Sequence, residues 1–264
     1  MSLAAPLTPR RNFAFARTPG ALILREMATS YGRSHGGYLW AVLEPVAAVA
    51  LLSTLFSLVL RSPALGTNFA FFYATGFLPF AAYMAVSQQV ASALRFSRPL
   101  LEYPAVCVLD ALCARFLLAA LTQSIVAATV LLGIILIYEL NPVLHWAAVA
   151  QSFVLALALG LAVGVLNCFL MTRFPVWERV WAVANRPLFL VSAILYLPEA
   201  LPGAYRGYIM INPLSHITSL MRQGFYPGYD AVLVRPGYVL GLALVLFLLG
   251  LIGLNSRRKE IIFQ

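Results

Sequence analysis

Residues 69–94 and 116–138 of this chain contain no charged side chain. Wound as helices rising about 1.5 Å per residue, each run is longer than the roughly 30 Å hydrocarbon core of a bilayer. Backbone crossing lipid must satisfy its own N–H and C=O groups, so such runs read as helical spans. Composition agrees, because 10% of residues are charged against 62% hydrophobic and mean hydropathy is +0.87. That leaves too little polar surface for a water-soluble domain of 264 residues.

Six spans are predicted, at 38–60, 69–94, 105–138, 143–172, 180–197 and 238–254. The first carries one charge, Glu44, the second is interrupted by Gly76 and Pro79, and the fifth contains Asn185-Arg186-Pro187. Asp110 and Arg115 fall in the first turns of the third span, where headgroup depth and snorkelling lower their cost. Ahead of the first span, Thr18 and Pro19 can open a helix over 18–33 that Gly32 closes. Leu24, Met27, Ala28 and Tyr31 share one face of it, and Arg25, Glu26, Thr29, Ser30 and Arg33 the other, so it lies in the membrane surface. RFSRPLLEYP, at 95–104, reads as a second surface helix. Between spans five and six, 198–236 is rich in Pro, Gly and Tyr, and its one regular piece, 214–225, is too short to cross a bilayer. It is re-entrant or interfacial. No cleaved signal peptide is expected, and 1–264 reads as a single membrane domain.

Six spans put both ends on one side. Arg10, Arg11, Arg17, Arg25, Arg33, Arg95, Arg98, Arg173, Arg179, Arg257, Arg258 and Lys259 share that side, while Arg61, Arg206, Arg222 and Arg235 face the other. The positive-inside rule makes the first side cytoplasmic. It also explains the net charge of +9 without a nucleic-acid partner.

Lys259 is the only lysine and is followed by Glu260, so the chain has no GxxxxGK[ST] loop for ATP. GxSxG is absent, and adjacent Ser215 and His216 would point about 100° apart on a helix, which is not a dyad. His35, His145 and His216 belong to no metal motif, and Cys107, Cys113 and Cys168 read as buried packing residues. No catalytic residue, metal or bound cofactor is expected. Six spans without a motor suggest half of a symmetric dimer, with the path at its interface and a separate ATPase to drive it.

Arg25 with Tyr31-Gly32-Arg33, Leu39-Trp40 through Leu43-Glu44-Pro45, and Asn212-Pro213-Leu214 through Arg222 and Phe225-Tyr226 occur in the order and spacing of a known family. The chain resembles the membrane subunits of type-2 ABC exporters, and within them the inner-membrane permeases for capsular polysaccharide. The resemblance implies an all-α membrane protein of six transmembrane helices, with an N-terminal amphipathic interface helix, a cytoplasmic coupling helix and short periplasmic re-entrant helices. It implies a homodimer with two copies of a nucleotide-binding subunit that holds ATP and Mg, a lipid-linked polysaccharide as cargo, and periplasmic copolymerase and outer-membrane export proteins as further partners. Related exporters of O-antigen or teichoic acid stay open as alternatives, as do, more remotely, an intramembrane enzyme and an assembly scaffold.

On that footing Arg25, Glu26, Tyr31, Arg33, Arg95, Arg98 and Glu102 are expected to meet the ATPase. Phe72, Tyr73, Phe77, Tyr83, Tyr196, Tyr205, Tyr208, Tyr226 and Tyr229 are candidates to line the sugar path, since C–H-rich sugar faces pack on aromatic rings; the competing reading is a lipid-facing belt. Glu44 and Arg186, each about 9 Å into its span, are expected to pair, the alternative being that each faces water separately.

Overall fold

The computed structural model describes residues 37–96 and 107–256. Among them the chain forms helices α1 (Gly37–Val59), α2 (Phe69–Ala91), α3 (Val108–Ile137), α4 (Trp146–Arg173), α5 (Trp177–Val191), α6 (Gly203–Ile209), α7 (Pro213–Phe225) and α8 (Pro236–Ser256), with a 3-10 turn at Pro198–Ala200 and no strand. The surface helix expected at 18–33 lies outside the described residues, with Arg25, Glu26, Tyr31 and Arg33, and so do Arg98 and Glu102.

Five helices, α1, α2, α3, α4 and α8, are long and apolar enough to cross a membrane. The expected fifth span differs from its forecast. In place of 180–197 the structure has α5, 15 residues long. At about 22 Å it falls short of a 30 Å core, and residues 192–197 turn instead of continuing it. The segment 198–236 is more regular than expected, with α6 and the 3-10 turn ahead of α7.

Local chemistry sets several of these boundaries. Asn68 Oδ1 accepts the Phe71 N–H at 3.0 Å and caps α2. Asn212 Oδ1 does the same for Leu214 N–H at 3.1 Å, and Pro213 at the first helical position gives up no hydrogen bond there. Asp110 starts α3 by accepting the Cys107 N–H at 2.9 Å. Asp110 and Arg115 are both buried, so the snorkelling forecast for them is corrected: the carboxylate folds back on the helix start, and the Arg115 guanidinium sits 4.3 Å above the Phe96 ring.

The centre is α2 against α4, with α3 and α1 on the far side of α2 and α8 on the far side of α4. α7 wedges against both central helices. Close approach needs small residues: a Cβ at Gly164 would lie 2.7 Å from Val90 Cβ and 2.9 Å from Ser87 O. Cys168 is buried as expected, but Cys107 and Cys113 are exposed on the protomer surface. Hydropathy cannot separate a lipid-facing thiol from a packed one, because both lie in apolar sequence.

α1 and α5 are the loosely held helices. Leu39, Trp40, Leu51, Leu55, Leu58 and Val59 of α1 are exposed, and α5 has no buried residue. Gly164→Leu, by contrast, strikes a close contact at the centre of the bundle, between α2 and α4, and is expected to cost about 1–3 kcal/mol through overpacking. A lowered thermal unfolding midpoint of the purified protein in detergent checks this.

Candidate functional site

The last carbonyls of a helix have no intrahelical donor. α5 ends in the interior of the bundle, so its carbonyls and those of the turn after it need donors from elsewhere. Ser215, Thr218 and Arg222 follow one another on one face of α7, at the i, i+3, i+7 spacing. Ser215 Oγ donates to Val191 O at 3.0 Å and Thr218 Oγ1 to Ser192 O at 3.0 Å. Arg222 supplies the rest: Nη1 donates to Ala193 O at 2.7 Å and Tyr196 O at 2.8 Å, and Nη2 to Ile194 O at 2.6 Å. Asn212 Nδ2 adds a bond to Ser192 Oγ at 3.1 Å, and Ser152 of α4 donates to Ile217 O at 2.7 Å from the other side of α7.

Arg222 is fully buried, its guanidinium 4.2 Å above the Phe72 ring. Space for it comes from Gly76, where a Cβ would lie 2.9 Å from Nη2. The turn it holds is strained, since Ala193 takes φ +54, a left-handed conformation that costs a residue with a Cβ roughly 1 kcal/mol. A cation at the C-terminal end of α5 also complements the helix dipole. Sequence reasoning counted Arg222 among the arginines of an outer loop and Gly76 as an interruption. The one signal for the lock was the polar stripe of 215, 218 and 222 inside an otherwise apolar segment.

The nine aromatic candidates separate into three groups. Phe72, Tyr73, Tyr83 and Tyr229 are buried within the protomer, Phe77, Tyr196 and Tyr226 are half-buried, and Tyr205 and Tyr208 are 64% and 73% exposed. Phe72 and Tyr73 are built into the Arg222 surroundings, with ring centroids 5.3 Å apart. Tyr229 donates its hydroxyl to Glu199 Oε2 at 2.9 Å. Ser215 and His216 point apart, Ser215 to Val191 O and His216 Nε2 to Met210 O at 2.9 Å, so no hydrolytic dyad forms.

At the other end of α5 the attachment is of a different kind. Arg95, just beyond α2, donates Nη1 to Glu178 Oε1 at 3.2 Å and Nη2 to Glu178 Oε2 at 2.5 Å. It is the one ion pair among the described residues, and both side chains are more than half exposed. The hydrogen bond from Arg95 holds the Glu178 carboxyl below the usual carboxylate range. Trp177 Nε1 donates to Asn167 Oδ1 of α4 at 2.9 Å beside it. Arg95, a candidate for ATPase contact, is thus engaged with the first turn of α5. Glu44 and Arg186 are both exposed, and no ion pair joins them within the protomer.

The sequence profile of the ABC-2 type transporter family matches residues 20–226. Polysialic acid transport protein KpsM of Escherichia coli is 28% identical over 245 residues, 93% of this chain and 95% of that protein. The capsule polysaccharide export inner-membrane proteins CtrC of Neisseria meningitidis and BexB of Haemophilus influenzae are 24% and 23% identical. They cover 89% and 93% of this chain, and 89% and 92% of their own lengths.

Arg222→Leu removes three charge-assisted hydrogen bonds at once, and is expected to cost about 3 kcal/mol or more. The check is the thermal midpoint together with protease sensitivity of the 192–212 segment, both of which should change far more than in Arg186→Leu.

Proposed function

This chain belongs to the ABC-2 type transporter family, and from that premise we propose that it is the transmembrane subunit of an ATP-driven exporter that moves lipid-linked capsular polysaccharide across the bacterial inner membrane. The observation that carries the reading is near end-to-end similarity to inner-membrane proteins named for capsule polysaccharide export, on a chain with five helices fit to cross a membrane among its described residues. ATP hydrolysis then belongs to a partner subunit in two copies, each holding ATP and Mg. Periplasmic copolymerase and outer-membrane export proteins carry the polymer onward.

In this reading α5 and the turn after it complete a sixth crossing, both ends of the chain are cytoplasmic, and α6 and α7 form the re-entrant pair on the outer side. Two chains meet through α1 and α5, whose exposed faces within the protomer support that choice. Exposed Tyr205 and Tyr208, with half-buried Phe77, Tyr196 and Tyr226, are the aromatic residues best placed to meet polymer. The Arg95–Glu178 pair passes movement of the ATPase-docking segment to α5.

The affinity-tagged chain is expected to bring down a soluble P-loop ATPase in equal amount; an intramembrane enzyme or a scaffold would bring none. Exposed ion pairs contribute about 1 kcal/mol or less, so Arg95→Glu and Glu178→Arg should leave membrane insertion intact. Each should lower surface polymer at unchanged ATPase binding, and the double swap should restore it. Surface polymer measured by flow cytometry in a strain lacking the native gene gives the readout.

The intersubunit pairing of Glu44 with Arg186 has its own test. An unpaired charge at that depth costs about 2.5–3.5 kcal/mol, so each single reversal should reduce dimer recovery after cross-linking. Glu44→Arg combined with Arg186→Glu should recover part of it.

A further inference from the structure

Two arginines left over from the lock border one open cavity. Its volume is about 540 Å³, and Gly203, Arg206 and Gly207 of α6 face His216, Arg235 and Tyr238 across it. No acidic side chain lines it, and neither arginine has an ion-pair partner among the described residues. Placing two uncompensated cations beside one cavity is unfavourable unless something anionic visits it. Under the proposed orientation it is also an exception to the rule that keeps arginine off the outer side.

The wall behind these charges is rigid. His216 uses both ring nitrogens, Nε2 donating to Met210 O at 2.9 Å and Nδ1 accepting the Arg235 N–H at 3.1 Å, so the neutral ring is a fixed strut. Tyr238 donates its hydroxyl to Ile211 O at 2.7 Å. Arg206 is anchored through Nη2, which donates to Glu199 O at 2.7 Å and Leu201 O at 3.1 Å, while its Nε–H is buried without an acceptor in the protein. Arg235 is exposed, and its backbone alone is engaged by His216. A Cβ added at Gly203 or Gly207 would meet nothing, so the α6 side of the cavity is open. Tyr205 and Tyr208 stand exposed on the same short helix, outside the cavity lining, where only chain leaving the cavity could reach them.

We propose that this cavity is a binding site for an acidic glycan: Arg206 and Arg235 hold a carboxylate or phosphate of the polymer, and Tyr205 and Tyr208 offer their ring faces to the adjoining sugars. The exposed Arg235 guanidinium suits the task because its planar donors match an oxyanion in pairs, while Arg206, with Nη2 engaged and Nε buried, offers Nη1. Aromatic rings accept the apolar faces of pyranoses while the hydroxyls stay hydrated. A lipid headgroup shares the anionic chemistry, and the lipid composition of the disc separates the two. The inference rests on the exporter reading and adds to it the charge of the cargo and the place where it is held.

The test uses the full-length chain in nanodiscs, titrated with a fluorescent sialic acid hexamer or a neutral glucose hexamer. The acidic hexamer is expected to bind more tightly than the neutral one and to weaken with added salt. Arg235→Gln, which leaves the His216 contact to the backbone in place, should weaken it about tenfold, as should Arg206→Gln. Arg235→Lys should retain part of the affinity. Equal affinity in wild type and Arg235→Gln, or no preference for the acidic hexamer, would overturn the proposal. So would a hexamer signal that vanishes when phosphatidylglycerol replaces phosphatidylcholine in the disc, because the cavity would then be a lipid site. Copurification of the ATPase, scored on the same preparations, keeps this result separate from the exporter reading itself.

Discussion

Carbonyl groups that end inside a membrane protein need donors, and the C-terminal end of α5 is where this chain meets that demand. Water is absent from the hydrocarbon layer, so irregular backbone survives there only when it is buried in protein. The polar stripe of α7 provides the burial and the donors together, through Ser215, Thr218 and above all Arg222. A charge this deep would be costly alone, but three carbonyls and an aromatic face compensate it. Gly76 and Ala193 follow from the same requirement: one vacates the guanidinium's seat and the other accepts strain so that its carbonyl can reach it. One interaction thereby ties α2, the end of α5 and α7 into a unit.

The opposite end of α5 shows the contrast. Arg95 and Glu178 meet in the open, where a salt bridge contributes little and can be made and broken cheaply. α5 is thus fixed at one end by a buried network and at the other by an exposed ion pair. In the proposed exporter, motion from the partner ATPase would enter at the weak end while the strong end keeps α6 and α7 in place.

The aromatic residues obey the same division. Phe72 and Tyr73 are spent on packing around the guanidinium, whereas Tyr205 and Tyr208 remain available on α6 beside Arg206. In the proposed reading, contact with polymer therefore falls on a short helix with no buried residue, as expected for a surface that must exchange partners.

The sequence by itself determined the class of the chain, because long uncharged apolar runs admit a helical membrane fold and hardly any other. Five of the helices could be read to within a few residues at most of their ends, and the family was legible in the order of short motifs near 25–45 and 212–226. Tertiary structure decided what hydropathy cannot encode. It showed that α5 stops short, that Asp110 and Arg115 turn inward, and that Cys107 and Cys113 face outward. Burial in lipid and burial in protein look alike along a sequence, since both favour apolar residues. Arg222 was the largest surprise for the same reason: a lone cation in a loop reads as solvated until the carbonyls that need it, 26 to 29 residues away in the chain, are brought alongside.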